Sequence, residues 1–334
     1  MQSRREFLGG LTLAGTAGLL GLRPETVAAE PPPETTKFRP VVRIGSVCTA
    51  PMFLTEEFLR GEGFTDVQYV GGKTDVETRQ AIASGEGDMT VTFSGPNIIL
   101  IDAGDPIVLL AGFHVGCLEL FGTDRVRAIR DLKGKTVAVP KLGGSQHVFL
   151  AMMAAYVGLD PRKDIKWVTH ADAESVRLLA EGKVDAVMAV PPGAQELRAK
   201  KIGHVVINMM MDRPWSQYSC CMVTGNREFV RKYPVATKRA LRAIFRAVEL
   251  CGREPELFAR FLVDGGYTKN YDYALEALKE IPYGTWREYD PEDAVRFYAL
   301  RLNEIGMIKA SPQKIIAQGT NWRFLNELKK ELKG

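Results

Sequence analysis

One short pattern occurs twice in this chain, and it narrows the folds open to it. Residues 83–96 run Ala-Ser-Gly-Glu-Gly-Asp-Met-Thr-Val-Thr-Phe-Ser-Gly-Pro, and residues 180–192 run Ala-Glu-Gly-Lys-Val-Asp-Ala-Val-Met-Ala-Val-Pro-Pro. In each copy a glycine, Gly85 or Gly182, closes a helical stretch, and an aspartate, Asp88 or Asp185, stands three residues later. The glycine suits a helix C-terminus, where the backbone turns left-handed. The acid opens a run of apolar and β-branched residues, the pattern of a strand buried on both faces in a parallel sheet. A proline ends each run, and the loop beyond a strand's carboxyl end is where open α/β sheets hold ligands. Two copies imply two α/β lobes, each offering such loops. The alternative is that any α/β protein repeats helix-glycine-strand units.

A chain of 334 residues with 46% hydrophobic content can bury more than one domain's core. The net charge of +4 falls to +3 once Arg4, Arg5, Arg23, Glu6 and Glu25 of residues 1–29 are removed. No basic patch is interleaved with aromatics, so no nucleic-acid partner is expected. Residues 1–29 have the form of an export signal. Ser3-Arg-Arg-Glu-Phe-Leu8 precedes an apolar, glycine-rich run, Gly9 to Leu22, and Val27-Ala-Ala29 offers small residues for cleavage. Paired arginines before a weakly hydrophobic run match a twin-arginine signal read by that export machinery; the alternative is a structural N-terminal helix. No cysteine near Ala29 offers a lipid anchor, so the expected mature protein is periplasmic or secreted. Residues 30–39, with Pro31-Pro-Pro33, form an extended leader. The five cysteines, Cys48, Cys117, Cys220, Cys221 and Cys251, are odd in number and lack C-x-x-C or metal-ligand spacing. No cofactor or metal is expected, and Cys220-Cys221 fits a buried strand.

Along the chain, strands are expected at 41–45, 64–70, 88–93 and 107–113, with helices at 52–60, 75–84 (Asp75 as N-cap) and 96–103. A second unit places strands at 136–139, 165–168, 184–190 and 204–209 around helices that begin near Ser145 and Ala173. Beyond Asn226 the pattern is helical: 234–251, 255–264, 271–280, 291–304 and 311–333, the last interrupted near Gly319. Runs 116–129 and 211–223 flank the second unit and fit crossings between lobes. Residues 40–119 and 217–334 then make a discontinuous first lobe, and 120–216 the second.

Several stretches carry a family resemblance: Ala83-Ser-Gly-Glu-Gly-Asp88, Ile129-Arg-Asp-Leu-Lys-Gly-Lys-Thr-Val-Ala-Val-Pro140, Gly144-Ser145 with His147, Gly158-Leu-Asp-Pro161, and Glu181-Gly-Lys-Val-Asp-Ala186 ending in Pro191-Pro192. The chain resembles the type II periplasmic substrate-binding proteins of the nitrate, sulfonate/taurine and thiamine-pyrimidine-precursor group. The resemblance implies an α/β fold of two parallel-sheet lobes with a ligand cleft and C-terminal helices. It also implies a receptor, not an enzyme, that delivers a small organic ligand to a membrane ABC permease. Members that make the thiamine pyrimidine carry a Cys-Cys-Cys-Phe-Gly-Cys run, which is absent here. The usual acid between the closing prolines is also missing, the order being Pro191-Pro192-Gly193.

Candidate ligand residues follow from position at strand ends. Gly144 and Ser145 precede a helix whose free N–H groups and dipole favour an anion, a sulfonate or carboxylate; Ser145 also fits as the N-cap. Ser94 and Asn97 fit either ligand bonding or helix capping. Cys48 and Thr49 follow the first strand, with Cys48 equally suited to the core. His147 lies on a first helical turn, with packing as the alternative. Pro191 closes the second repeat. Trp215 and Tyr218 offer aromatic faces at the second crossing, or hinge packing. The competing functions are an enzyme on the same fold, using a cleft histidine, and a ligand sensor that docks on a receptor. An enzyme would consume its ligand; fold alone does not separate the three.

Overall fold

The structure, a computed structural model, describes residues 30–331; the expected export signal lies outside them. Along the chain, β1 (Lys37–Phe38), β2 (Pro40–Arg43), α1 (Glu56–Gly61), β3 (Asp66–Val67), β4 (Val70–Gly72), α2 (Asp75–Ala83), β5 (Met89–Phe93), α3 (Ser94–Ala103) and β6 (Ile107–Val115) come first. The second unit follows as β7 (Glu119–Gly122), β8 (Thr136–Val139), α4 (Ser145–Tyr156), β9 (Lys166–Thr169), α5 (Asp172–Ala180), β10 (Ala186–Ala189), α6 (Gly193–Ala199) and β11 (His204–Asn208). The chain returns through β12 (Ser219–Asn226) and ends in α7 (Arg227–Lys232), α8 (Pro234–Arg253), α9 (Pro255–Asp264), α10 (Tyr271–Glu280), α11 (Pro291–Glu304), α12 (Pro312–Gly319) and α13 (Arg323–Glu331).

These strands build two separate five-stranded sheets, β4-β2-β5-β12-β6 and β11-β7-β10-β8-β9, beside a short β1-β3 pair. The fold is therefore a bilobal α/β one. The sheets are parallel only where helices connect the strands: β2 with β4 and β5, and β8 with β9 and β10. β12 runs antiparallel to β5 and β6, and β7 antiparallel to β10 and β11. The expectation of fully parallel sheets is corrected by these two strands. Each enters from the other sheet, so it starts at the edge where its neighbours end. The sheets are joined at residues 116–118 and 209–218, narrower crossings than the sequence pattern outlined.

The repeated Gly-x-x-Asp pattern has one physical job in both copies. Gly85 and Gly182 take φ of 77° and 66°, the left-handed turn that ends a helix. Asp88 then accepts the backbone N–H of Arg39 at 2.6 Å and its guanidinium at 2.6 Å. Asp185 accepts the backbone N–H of Thr136 at 2.8 Å and the Arg125 guanidinium at 2.5 Å. In each lobe the acid that opens one strand thus pins the start of the parallel strand beside it, which sets their register.

Side chains cap α2, α7, α10, α11 and α12, with one correction to the expected caps. Thr74, not Asp75, caps α2, its hydroxyl accepting from the Glu77 N–H at 3.2 Å. The helix expected at 52–60 splits into a 3-10 turn, Ala50–Leu54, and α1, because the Thr55 hydroxyl bonds back to the Met52 carbonyl at 3.1 Å. Helix α4 is buried along most of its length and belongs to a hydrophobic core that also holds residues of both sheets. Its Phe149 meets Phe93 and Tyr298 edge-on, with ring centroids 5.9 and 5.3 Å apart. A second tie lies at α6. Arg198 bonds Glu280 at 2.6 Å and Glu276 at 2.9 Å on α10, and also pairs with the buried Glu119 of β7.

Candidate functional site

Two cavities of about 250 and 610 Å³ adjoin between the sheets, sharing Arg43, Pro140 and Asp172 on their walls. Most wall segments lie at or beyond the carboxyl end of a strand, with Ala138 of β8 and Val187–Ala189 of β10 also lining the smaller cavity. Arg43 ends β2, Lys73 and Thr74 follow β4, Pro140 follows β8, Asp172 follows β9, and Pro191-Pro192 follow β10. Both sheets therefore contribute, as expected at the ligand end of an open α/β sheet.

The larger cavity gathers three helix N-termini: α2, α4 and α5. Thr74 caps α2, but the cap positions of α4 and α5 are Gly144 and Ala171, and neither helix has a side-chain cap. Their first-turn N–H groups carry the positive end of the helix dipole without an internal side-chain acceptor. The nearby acids are engaged. Asp75 pairs with Arg79 at 3.0 Å, and Glu77 accepts the Lys73 N–H at 2.8 Å. Asp172 accepts from Gln146 Nε2 at 2.9 Å; desolvation raises its carboxyl above the ordinary range, while Arg43 and Gln146 oppose that rise. Among the described residues, no ion pair within 4.0 Å engages Arg43 or Lys73. The arrangement suits a small anion held by one guanidinium and by helix-end amides.

Of the residues singled out from sequence, Gly144, Ser145 and Pro191 line these cavities. The others lie elsewhere. Ser94 donates to the Ser219 and Cys220 carbonyls at 2.7 and 3.0 Å, locking α3 onto β12. Asn97 bonds Thr92 and Thr224, each at 2.9 Å, inside the first sheet. Cys48 and Thr49 are buried, and the Thr49 hydroxyl donates to the Ser46 carbonyl at 3.5 Å. His147 accepts the Gly143 N–H at Nδ1 (3.1 Å) and packs edge-on against Trp167 at 4.6 Å; burial pushes its pKa down, which keeps the ring neutral. Trp215 is buried against Tyr156 and Phe297, and Tyr218 stacks on Phe297 with centroids 4.1 Å apart. Both rings are packed against Phe297 of α11 beside the second crossing.

Sequence reasoning missed Arg43, Lys73 and Asp172. The sequence marks each of them, since each ends or follows a strand. Ser145 also departs from its expected role as a cap. It is the first residue within α4, and its hydroxyl reaches only Gln146 Oε1 at 3.5 Å. Ser145→Ala should therefore change stability by less than about 0.5 kcal/mol, where loss of a true cap costs about 1 kcal/mol. Urea unfolding of the variant checks this; a loss near 1 kcal/mol would restore the capping role.

Residues 44–260 match the model of the NMT1-like family. The chain belongs to the NMT1-like family. No curated protein sequence matches it. Solved structures with the same fold include the periplasmic nitrate-binding protein NrtA from Synechocystis PCC 6803, at a TM-score of 0.74 and 16% identity over 90% of each chain. The alkanesulfonate-binding protein SsuA from Xanthomonas axonopodis pv. citri, bound to MOPS, matches at a TM-score of 0.66 and 16% identity, over 88% of this chain and 100% of that one. The aliphatic sulphonate-binding SsuA from Escherichia coli matches at 0.66 and 16%, over 83% and 90%. This NMT1-like chain thus has the fold of type II periplasmic substrate-binding proteins.

Proposed function

We propose that this NMT1-like protein is a periplasmic solute-binding receptor that captures a small organic anion and delivers it to a membrane ABC permease. The observation that carries this reading is the pair of adjoining cavities, walled by strand-end loops of both sheets, with Arg43 and two uncapped helix ends at its rim. A sulfonate, a carboxylate or a pyrimidine-type ligand would meet charge-assisted bonds from the guanidinium and N–H donors from α4 and α5. In this reading residues 40–119 with 217–334 form one lobe and 120–216 the other. The ligand is shared by Arg43 of the first lobe and by Gly144, Ser145, Asp172 and Pro191 of the second. A ligand touching both lobes favours the closed form. The names of the fold neighbours, nitrate-binding and sulfonate-binding, support an anion.

A thermal-shift panel of nitrate, alkanesulfonates, aliphatic and aromatic carboxylates and pyrimidines tests the reading. An anion present at about 100 times its Kd should add about 2.7 kcal/mol of stability, and NMR should recover it unchanged. A consumed ligand would point to an enzyme, and a shift only with cations would contradict the anion site. The location is tested separately. With Arg4 and Arg5 both replaced by Lys, the chain should remain in the cytoplasm in a fractionation experiment; normal export would remove the twin-arginine reading.

A further inference from the structure

Four of the five cysteines meet a histidine where the two sheets join. Cys48 lies in the loop after β2, His114 and Cys117 sit at and just beyond the end of β6, and Cys220 and Cys221 open β12. Cys48, His114, Cys117 and Cys221 are all buried, and one donor atom from each lies within 4.8 Å of the other three. Cys220 adds a neighbour, its Sγ 3.5 Å from Cys117 Sγ and 3.7 Å from both Cys221 Sγ and His114 Nδ1. Three chain segments distant in sequence thus bring soft donors together.

Two observations separate this cluster from ordinary packing. The first is His114, only 1% exposed, whose Nε2 is buried without a hydrogen-bond partner. A buried polar atom left unpaired is costly. Its Nδ1 lies 3.1 Å from the carbonyls of Val115 and Gly116, contacts that only a protonated Nδ1 satisfies. That tautomer leaves a bare lone pair on Nε2, the state in which a neutral imidazole binds a metal while its other nitrogen is held by a carbonyl. The second is spacing. Donors about 2.3 Å from a tetrahedral ion stand about 3.8 Å apart, and the donor atoms of Cys48, His114, Cys117 and Cys221 all lie within 4.8 Å of one another, near enough to converge on a single ion.

We propose that Cys48, Cys117, Cys221 and His114 bind one Zn²⁺ as a Cys3His tetrahedron, with Cys220 as an adjacent thiol. Each coordinating cysteine gives its proton to solvent and binds as thiolate, so loading releases up to three protons. The ion would tie the loop after β2 to both strands that lead to the other sheet, stiffening the hinge. Tyr283, donating to the Cys48 carbonyl at 2.9 Å, already fixes that loop from the C-terminal helices.

The full-length chain, reduced and freed of metal by a chelator, is titrated with Co²⁺ and then with Zn²⁺. One Co²⁺ per chain should bind, with the intense visible bands of a tetrahedral site and a thiolate-to-cobalt charge-transfer band, and Zn²⁺ should displace it. Cys117→Ser and Cys221→Ser, each verified as folded by circular dichroism, should weaken Zn²⁺ binding roughly 100-fold or more, since loss even of an outer partner costs 10–100-fold. Cys251→Ser, on α8 outside the cluster, should not. Should both serine variants fail to fold, the wild-type cobalt spectrum decides. Absence of the charge-transfer band in the folded, reduced chain overturns the site. So does a Cys117–Cys220 disulfide in protein purified without reductant from zinc-supplied cells.

Discussion

Arg198→Ala is expected to cost the folded protein about 3–5 kcal/mol, the range seen when one partner of a buried ion pair is removed. The Glu119 side chain is only 1% exposed, and Arg198 is its counter-charge. The same guanidinium reaches Glu276 and Glu280 on α10, so the substitution also frees α6 from that helix. Burial raises the Glu119 carboxyl above its ordinary range, and Arg198 is the group that opposes the rise. Without Arg198 the rise is larger. A carboxyl with a raised folded pKa keeps a proton that the unfolded chain has released. Stability therefore falls as pH climbs from the unfolded carboxylate value through the folded one. The deficit should be larger at neutral pH than near pH 4, and Glu119→Gln in the same background should recover part of it. Urea unfolding at both pH values checks this. A loss under about 1 kcal/mol at neutral pH would mean that the pair is solvated and contributes little.

The second large effect concerns binding. Arg43→Gln should weaken anion binding roughly 10- to 100-fold, the equivalent of one charge-assisted hydrogen bond of about 1.5–3 kcal/mol. Its effect on stability should be small, because Arg43 is half-buried and none of the described ion pairs within 4.0 Å includes it. Calorimetry with the anion that shifts melting most provides the test. An unchanged Kd with the fold intact would remove Arg43 from the site.

Local features of the fold were well marked in sequence. Helices 255–264, 271–280 and 291–304 were expected at their observed bounds, two of them opening on proline after an acidic residue and the third on Asn270, whose side chain caps it. Strand Thr136–Val139 was equally clear between Lys135 and Pro140. What was hidden depends on partners far along the chain. Asp88 and Asp185 looked like strand openers, but each acts on a backbone N–H 49 residues earlier. The cysteine cluster has no sequence spacing to reveal it, because Cys220 and His114 lie 106 residues apart and meet only through the pairing of β6 with β12. Ser94 and Asn97 stand after a strand as ligand residues should, yet β12 arrives over them and takes their hydrogen bonds. Trp215 and Tyr218 are claimed by Phe297 of α11, a helix whose docking no local pattern announces. Glycine loops are legible as strand ends, and the cation at the end of β2 is marked by the same rule.

The most direct test of the central claim is a crystal structure of the chain soaked with the anion that most raises its melting temperature. The expected result is density between the Arg43 guanidinium and the first turns of α4 and α5, in contact with residues of both sheets. Density instead in the apolar groove of the first lobe, among Phe53, Leu54, Tyr69, Leu257 and Phe261, with the space beside Arg43 holding only water, would contradict it.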